Sequence, residues 1–186
     1  RVLATVKRSL LEGGLIVIVV LLIFLVDLAA GLVVATAIPL SMLGAFAMMG
    51  ALGMSGNLMS LGAIDFGLVV DGAVVVVEGA LAAMAAHKLT ARAALAREAM
   101  AFGGPIAFGV FIIGIVYTPV LLLDGYEGKM FRPMAWTVLF ALGTALILAF
   151  TWIPVLVSVV VRKAHDGDQR AAARLALVVP VALGLI

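Results

Sequence analysis

Residues 65–79 read DFGLVVDGAVVVVEG, and this stretch decides how the rest of the chain is interpreted. Its three acids, Asp65, Asp71 and Glu78, stand among Phe, Gly, Leu, Val and Ala, and no basic residue lies between them. Apolar residues continue on both sides, and a helix over about 58–86 is long enough to cross the roughly 30 Å hydrocarbon layer of a bilayer. The stretch therefore predicts a membrane-spanning helix that carries three carboxylates.

The composition of the whole chain agrees with this prediction. Of the 186 residues, 66% are hydrophobic and 12% are charged, and the mean hydropathy is +1.32. These values lie far outside the range of soluble globular domains. The chain has no cysteine, and no run of basic residues indicates a nucleic-acid partner. We expect an all-α, polytopic helical bundle surrounded by the lipid bilayer.

Five full membrane spans and the start of a sixth are predicted. Asp27 and Gly31 mark a tight hairpin between the first two spans, and Pro39 predicts a kink in the second. The spans are predicted at about 10–26, 28–52, 58–86, 103–123 and 134–161. A connector follows at 162–174, and 175–186 begins a further membrane helix. Because the chain begins with Arg and ends within an apolar run, we expect a piece of a larger protein.

The connectors differ in charge, which predicts an orientation. Residues 87–98 and 162–174 lie on the same side of the membrane in the predicted topology, and together they carry most of the Lys and Arg of the chain. Cytoplasmic loops carry an excess of basic residues, so these two segments are predicted to be cytoplasmic and the loop at 124–133 periplasmic. Residues 87–98 alternate charge and alanine in a helical pattern and are predicted to form an exposed connector.

The three carboxylates have a spacing that indicates a role. Asp71 and Glu78 lie on nearly the same helix face about two turns apart, and Asp65 lies about 120° around the helix. The parallel line through Gly72 and Gly79 lets another helix approach closely. A charged group in hydrocarbon is costly and is retained where it faces a bundle interior or a wet path. We interpret the acids as a proton relay; the alternative is neutral hydrogen-bond partners that hold helices together, and Glu78 suits that alternative best.

Other candidate sites are weaker. His87 and His165 stand among connector charges and are interpreted as solvated. An intramembrane aspartyl protease would need acids on two facing helices, whereas Asp65 and Asp71 share one, so neither an enzyme nor a cofactor is predicted. Five methionines are interpreted as core filling rather than as soft metal ligands, and no metal site is predicted. They are Met42, Met48, Met49, Met54 and Met59.

Three motifs resemble one family of transporters. NLMSLGAIDFGLVVDGAVVVVEG (57–79) resembles the fourth transmembrane helix of resistance-nodulation-division (RND) efflux pumps, in the pattern D-F-G-x-x-x-D-G-A-x-x-x-x-E of the heavy-metal branch. YTPVLLLDGYEGKMFRPMAWTV (117–138) resembles their fifth-to-sixth helix junction, and AIPLSM (37–42) resembles their third helix. The resemblance covers about residues 8–162 and favours the cobalt, zinc and cadmium exporters over those of copper and silver.

The resemblance implies a fold and a set of site residues. The five spans would be helices two to six of twelve. The proton-relay carboxylates of the family map onto Asp71 and, in the metal branch, also onto Asp65 and Glu78. Multidrug members carry a second acid where Gly72 stands here. Two positions depart from the family pattern: Gly79 replaces the usual Asn, and DLAAG (27–31) lacks an Arg.

The resemblance also implies a function and partners. It implies a proton/metal antiporter of the bacterial inner membrane that exports divalent cations such as Zn, Co and Cd through periplasmic domains outside this chain. The pump would be a homotrimer with a periplasmic adaptor and an outer-membrane channel. Two other functions stay open: a degenerate, non-transporting membrane scaffold, and a segment of a multidrug-type RND exporter.

Overall fold

The computed structural model describes residues 2–25, 28–54, 65–87 and 89–165. Seven helices make up this part of the chain, and no strand occurs in it, which confirms the predicted all-α fold. The helices are α1 (Val2–Phe24), α2 (Leu28–Ala35), α3 (Ala37–Ala51), α4 (Phe66–His87), α5 (Ala91–Leu121), α6 (Gly125–Phe150) and α7 (Trp152–His165). The predicted turn residue Asp27 and the segments 166–174 and 175–186 lie outside the described residues.

Four helical segments among the described residues are long and apolar enough to cross a membrane. They are Leu28–Ala51, Phe66–His87, Arg92–Leu121 and Gly125–Phe150, and each overlaps one of the last four predicted spans. At the first predicted span, the described part of α1 has a shorter apolar helix, Glu12–Ile23. The charged pair Arg8 and Glu12, joined at 2.7 Å, limits the apolar part of α1 on its amino-terminal side.

The second span is interrupted close to Pro39, where a kink is predicted. Thr36 separates α2 from α3, and its hydroxyl donates a hydrogen bond of 2.6 Å to the carbonyl of Val33. Pro39 has no N–H for the carbonyl of Ala35, which explains why the regular helix is interrupted here. Gly31, one of the two residues predicted to mark the hairpin, does not lie in a turn. It lies within α2, where a methyl group would stand 3.1 Å from Cδ2 of Leu22, so it allows α1 and α2 to pack closely.

Two helices begin earlier than the predicted spans. α5 begins at Ala91, because the Thr90 side chain caps it by accepting a hydrogen bond of 3.4 Å from the Ala93 N–H. Residues 91–98 of the segment predicted as a connector are therefore the start of α5. α6 begins at Gly125, which has φ +74. The polar residues after Gly125, predicted as a loop, are therefore part of this helix. Pro133 lies inside α6.

The last predicted span is interrupted. α6 ends at Phe150 and α7 begins at Trp152. The Thr151 hydroxyl donates a hydrogen bond of 2.6 Å to the Ile147 carbonyl, and Pro154 has no N–H to donate to the carbonyl of Phe150. These two features explain why one long apolar segment folds as two helices.

The packing places α4 at the centre of the bundle. α4 contacts each of the other six helices that the structure describes, and α3 and α6 form the most extensive contact between any two of them. In that contact a methyl group on Gly44 would collide with Thr144, and the Thr137 hydroxyl lies 3.0 Å from Sδ of Met49. The helix that carries the predicted site thus packs against every other described helix.

Candidate functional site on helix α4

α4 has one face inside the bundle. Its buried residues are Phe66, Val69, Val70, Ala73, Val76, Val77, Ala80 and Ala83. They recur at intervals of three and four, as expected for one side of a helix. Most of them are small or β-branched, so neighbouring helices can approach the backbone of α4 on this side.

A second face of α4 is uncovered by the described part of the chain. We call it the acidic stripe and define it by Leu68, Asp71, Val75, Glu78 and Ala82, all of which are exposed. The intervals of three and four residues place them along one line of the helix. The structure therefore places Asp71 and Glu78 on one face, about 10 Å apart along the axis, since a helix rises 1.5 Å per residue.

Neither acid of the stripe is neutralised inside the bundle. Within residues 2–25, 28–54, 65–87 and 89–165, no ion pair or side-chain hydrogen bond involves Asp71 or Glu78. Leu68 and Val75, which flank Asp71, are 36% and 40% exposed. The acidic stripe therefore places two ionisable groups among apolar side chains on a face of α4 that the described residues leave open.

Asp65 is not brought to the acidic stripe. It immediately precedes α4, and its Oδ1 accepts a hydrogen bond of 2.9 Å from the Gly67 N–H. Its carbonyl accepts one of 3.3 Å from the Val69 N–H. This is the geometry of an N-terminal helix cap, a contribution that the sequence analysis did not predict. The predicted beginning of the span, 58–64, lies outside the described residues.

The two glycines beside the acids face α5. A methyl group at Gly72 would stand 2.9 Å from Cγ2 of Ile106, and one at Gly79 would stand 2.9 Å from Oε2 of Glu98. Gly72 faces Ile106 and Gly79 faces Glu98, so residue numbers rise along α4 as they fall along α5. The two helices are therefore antiparallel, and we call their contact the seam. This is the close helix approach that the spacing of Gly72 and Gly79 predicts.

Glu98 is a largely buried acid that the sequence analysis missed. Its side chain is 13% exposed and packs over Gly79 in the seam, whereas Glu12 on α1 is 59% exposed. No local signal in the sequence indicates it, because the register that pairs residue 72 with 106, and so places residue 79 opposite 98 or 99, is known only from the structure. The sequence analysis instead interpreted 87–98 as an exposed connector.

No transition-metal centre forms among the side chains that the structure describes. No group of three or more His, Cys, Asp or Glu residues there could hold a metal ion. His87 is exposed at the end of α4, and Met48 is 47% exposed while Met49 is 2% exposed. Zinc needs several ligands clustered around one point, whereas these carboxylates are spaced along a helix face. Their arrangement therefore suits proton binding better than zinc binding.

The fold and the site define a polytopic α-helical membrane protein whose central helix carries two carboxylates on an open face. The chain belongs to the AcrB/AcrD/AcrF family, whose model matches residues 1–179.

The chain is similar to heavy-metal transporters of this family. The cobalt-zinc-cadmium resistance protein CzcA of Cupriavidus metallidurans is 45% identical over 173 residues, which covers 85% of this chain and 16% of CzcA. The nickel-cobalt-cadmium resistance protein NccA of Alcaligenes xylosoxydans xylosoxydans is 40% identical over 168 residues, covering 86% of this chain and 16% of NccA. The chain spans about a sixth of the length of these relatives.

A solved structure agrees with the sequence comparison. The crystal structure of a heavy metal efflux pump matches with a TM-score of 0.75 and 37% identity, covering 95% of this chain and 18% of that pump. Together these similarities confirm the resemblance to the heavy-metal branch of RND efflux pumps. The similar proteins are efflux transporters, not enzymes.

Proposed function

We propose that this chain is the proton-relay segment of a proton-driven exporter of divalent heavy-metal cations in the bacterial inner membrane. The observation that carries the proposal is the acidic stripe: two carboxylates, Asp71 and Glu78, on the open face of the most central helix.

The surroundings of the stripe favour a relay. A carboxylate facing lipid at mid-membrane costs a few kcal/mol or more, so further protein or a wet path must cover Asp71 and Glu78 in the complete pump. Neither group is committed to a partner inside the described bundle, so each is available to gain and lose a proton. A group held in a permanent ion pair would not serve this purpose.

The position of α4 supports coupling of protonation to conformation. α4 contacts all six other described helices, so a change in its preferred position is transmitted to each of them. Protonation of Asp71 removes a charge from the open face and changes which neighbouring packing is favoured. A ligand, here the proton, shifts a conformational equilibrium by its different affinity for the two states.

The three acids take different parts in the proposed path. Asp71 accepts a proton from the periplasmic side, and Glu78, about 10 Å further along the same face, is the next station. Asp65 lies at the periplasmic end of α4, where it caps the helix while remaining exposed to incoming protons. The orientation follows the charge of the connectors, with the His87 end of α4 in the cytoplasm.

The substrate and partners are proposed from the relatives. CzcA and NccA are named for resistance to cobalt and cadmium, with zinc in one name and nickel in the other. We assign zinc, cobalt and cadmium ions to the pump that contains this chain. Its periplasmic domains would carry the metal, and it would act as a homotrimer with a periplasmic adaptor and an outer-membrane channel.

The packing of Gly72 argues against a multidrug-type relay. That pattern has a second acid at this position, but even a methyl group here would stand 2.9 Å from Cγ2 of Ile106. An Asp at residue 72 would require α5 to move away. The scaffold alternative needs Asp71 and Glu78 to hold helices together, yet they bond to no helix of the described bundle.

The test is proton-coupled metal transport by the full-length pump. Proteoliposomes that contain it should move zinc when a pH gradient is imposed, and zinc movement should stop when an ionophore collapses the gradient. Zinc transport that continues unchanged without the gradient would contradict the proposed function. Failure to move any metal while organic compounds are transported would favour the multidrug alternative.

A further inference from the structure

The seam between α4 and α5 holds an acidic side chain that the proposed relay has not used. Glu98 lies over Gly79, with its Oε2 2.9 Å from the place of a methyl group on that glycine. Its side chain is 13% exposed, while that of the adjacent Arg97 is 59% exposed. A methyl group at residue 79 would displace the end of the Glu98 side chain, so the glycine leaves room for the carboxylate in the seam.

Glu98 is poorly neutralised in this position. Its ion pair within the described bundle joins Oε1 to Nε of Arg97 at 3.9 Å, much longer than the 2.8 Å pair of Asp124 and Arg132. Adjacent residues on a helix point about 100° apart, so Arg97 cannot face Glu98 directly.

The position of Glu98 continues the line of acids. Glu78 directly precedes Gly79, so Glu98 is level with Glu78 along α4, about 100° around the helix. The other charged or titratable side chains described at this end are His87 on α4 and Arg92 and Arg97 on α5. The described side chains of α7, which also packs against α5, carry no charge up to Val160.

We propose that Glu98 is the last proton-carrying group at the cytoplasmic end of the path. In this step the O–H bond of protonated Glu78 breaks, intervening water carries the proton, and an O–H bond forms on the Glu98 carboxylate, which leaves Glu78 ionised. Glu98 then gives the proton to cytoplasmic water and returns to its starting state. The inference rests on the proposed function, since it extends the same path by one station.

Two substitutions separate this role from simple packing. Glu98→Gln keeps the size and shape of the side chain but cannot ionise, whereas Glu98→Asp keeps the carboxyl group and shortens the side chain. A proton station should tolerate Asp and fail with Gln; a packing residue should do the opposite. Glu127→Gln is the matched control, because Glu127 is an exposed acid near the start of α6.

The experiment measures zinc-dependent proton flux with a pH-sensitive dye in proteoliposomes of the full-length pump. Glu98→Gln should lower the flux by at least about tenfold, the scale on which loss of a proton-transfer group slows a reaction. Glu98→Asp should keep at least half of it, and Glu127→Gln should leave it unchanged. Wild-type flux in Glu98→Gln, or equal losses in Glu98→Gln and Glu98→Asp, would overturn the inference.

Asp71→Asn, measured in the same assay, distinguishes failure of the inference about Glu98 from failure of the proposed function. If Asp71→Asn is inactive while Glu98→Gln is active, the inference about Glu98 fails and the proposed function stands. If Asp71→Asn transports normally, the proposed function itself fails. Should Glu98→Gln not assemble, Gly79→Ala displaces the carboxylate without removing it and should lower the flux several-fold; unchanged flux in that variant would again overturn the inference.

Discussion

Replacement of Gly72 by alanine should push α5 away from the acid-bearing helix. The added methyl group would stand 2.9 Å from Cγ2 of Ile106 and 3.8 Å from Cβ of Ala149. Carbon atoms pack best at about 3.5–4.0 Å, so the Ile106 contact is short by roughly 0.6–1.1 Å. Because Cγ2 is attached to the branched Cβ of an isoleucine in a helix, rotamer change cannot relieve it, and the helices must separate.

The expected magnitude comes from two opposing effects. Overpacking of this kind costs about 1–3 kcal/mol. An alanine in a helix gains up to about 1 kcal/mol over glycine in propensity. Gly109→Ala on α5 is the matched control, because nothing lies within 4 Å of its added methyl group and only the propensity gain applies. The stability difference between the two variants therefore measures the overpacking cost.

The assay is thermal unfolding of the purified full-length pump in detergent, with the double variant Gly72→Ala/Ile106→Ala included. Gly109→Ala should unfold at or above the wild-type temperature and Gly72→Ala below it. Ile106→Ala should relieve the effect, so the double variant should be more stable than the sum of the single changes predicts. Equal stability of Gly72→Ala and Gly109→Ala, or additive single effects, would refute the proposed packing.

Three further results are expected. Reporters fused within 87–98 should read as cytoplasmic and one within 124–133 as periplasmic, because basic connectors stay inside; the reverse labelling would contradict the orientation. Calorimetry of this chain should show no zinc binding at micromolar or tighter affinity, since no ligand cluster forms among its described residues; a tight isotherm would contradict this. Asp65→Ala should lower the unfolding free energy by about 1 kcal/mol through loss of the cap, whereas Asp65→Asn should nearly preserve it; equal losses in denaturant titrations would show that the cap is not the cause.

Local properties of the sequence predict much of the fold. Hydrophobic content and helical periodicity are visible within a few turns, so the all-α class, four apolar spans and the shared face of Asp71 and Glu78 all follow from it. The break near Pro39 follows as well, because a missing N–H is also a local property. The motif around residues 57–79 predicts the family for the same reason.

Helix boundaries and contacts between residues distant in sequence are not predicted in this way. The polar residues after Asp124 favour a loop, yet they form the start of α6, where Arg132 pairs with Asp124 at 2.8 Å. The burial of Glu98 depends on the space that Gly79 leaves on another helix. The cap formed by Asp65 depends on where α4 begins, which periodicity alone does not locate. The first and last of these outcomes depend on where a helix begins, and the burial of Glu98 depends on the register between two helices.

The most direct test of the account is proton flux in the full-length pump carrying Asp71→Asn. Asparagine keeps the shape and hydrogen-bonding capacity of the side chain but cannot ionise, so it separates a relay from a group that only holds helices together. The account predicts that this variant assembles like the wild type, as judged by size-exclusion chromatography, but loses zinc-dependent proton flux and metal resistance. Proton-coupled zinc transport near the wild-type rate in assembled Asp71→Asn pumps would contradict the account.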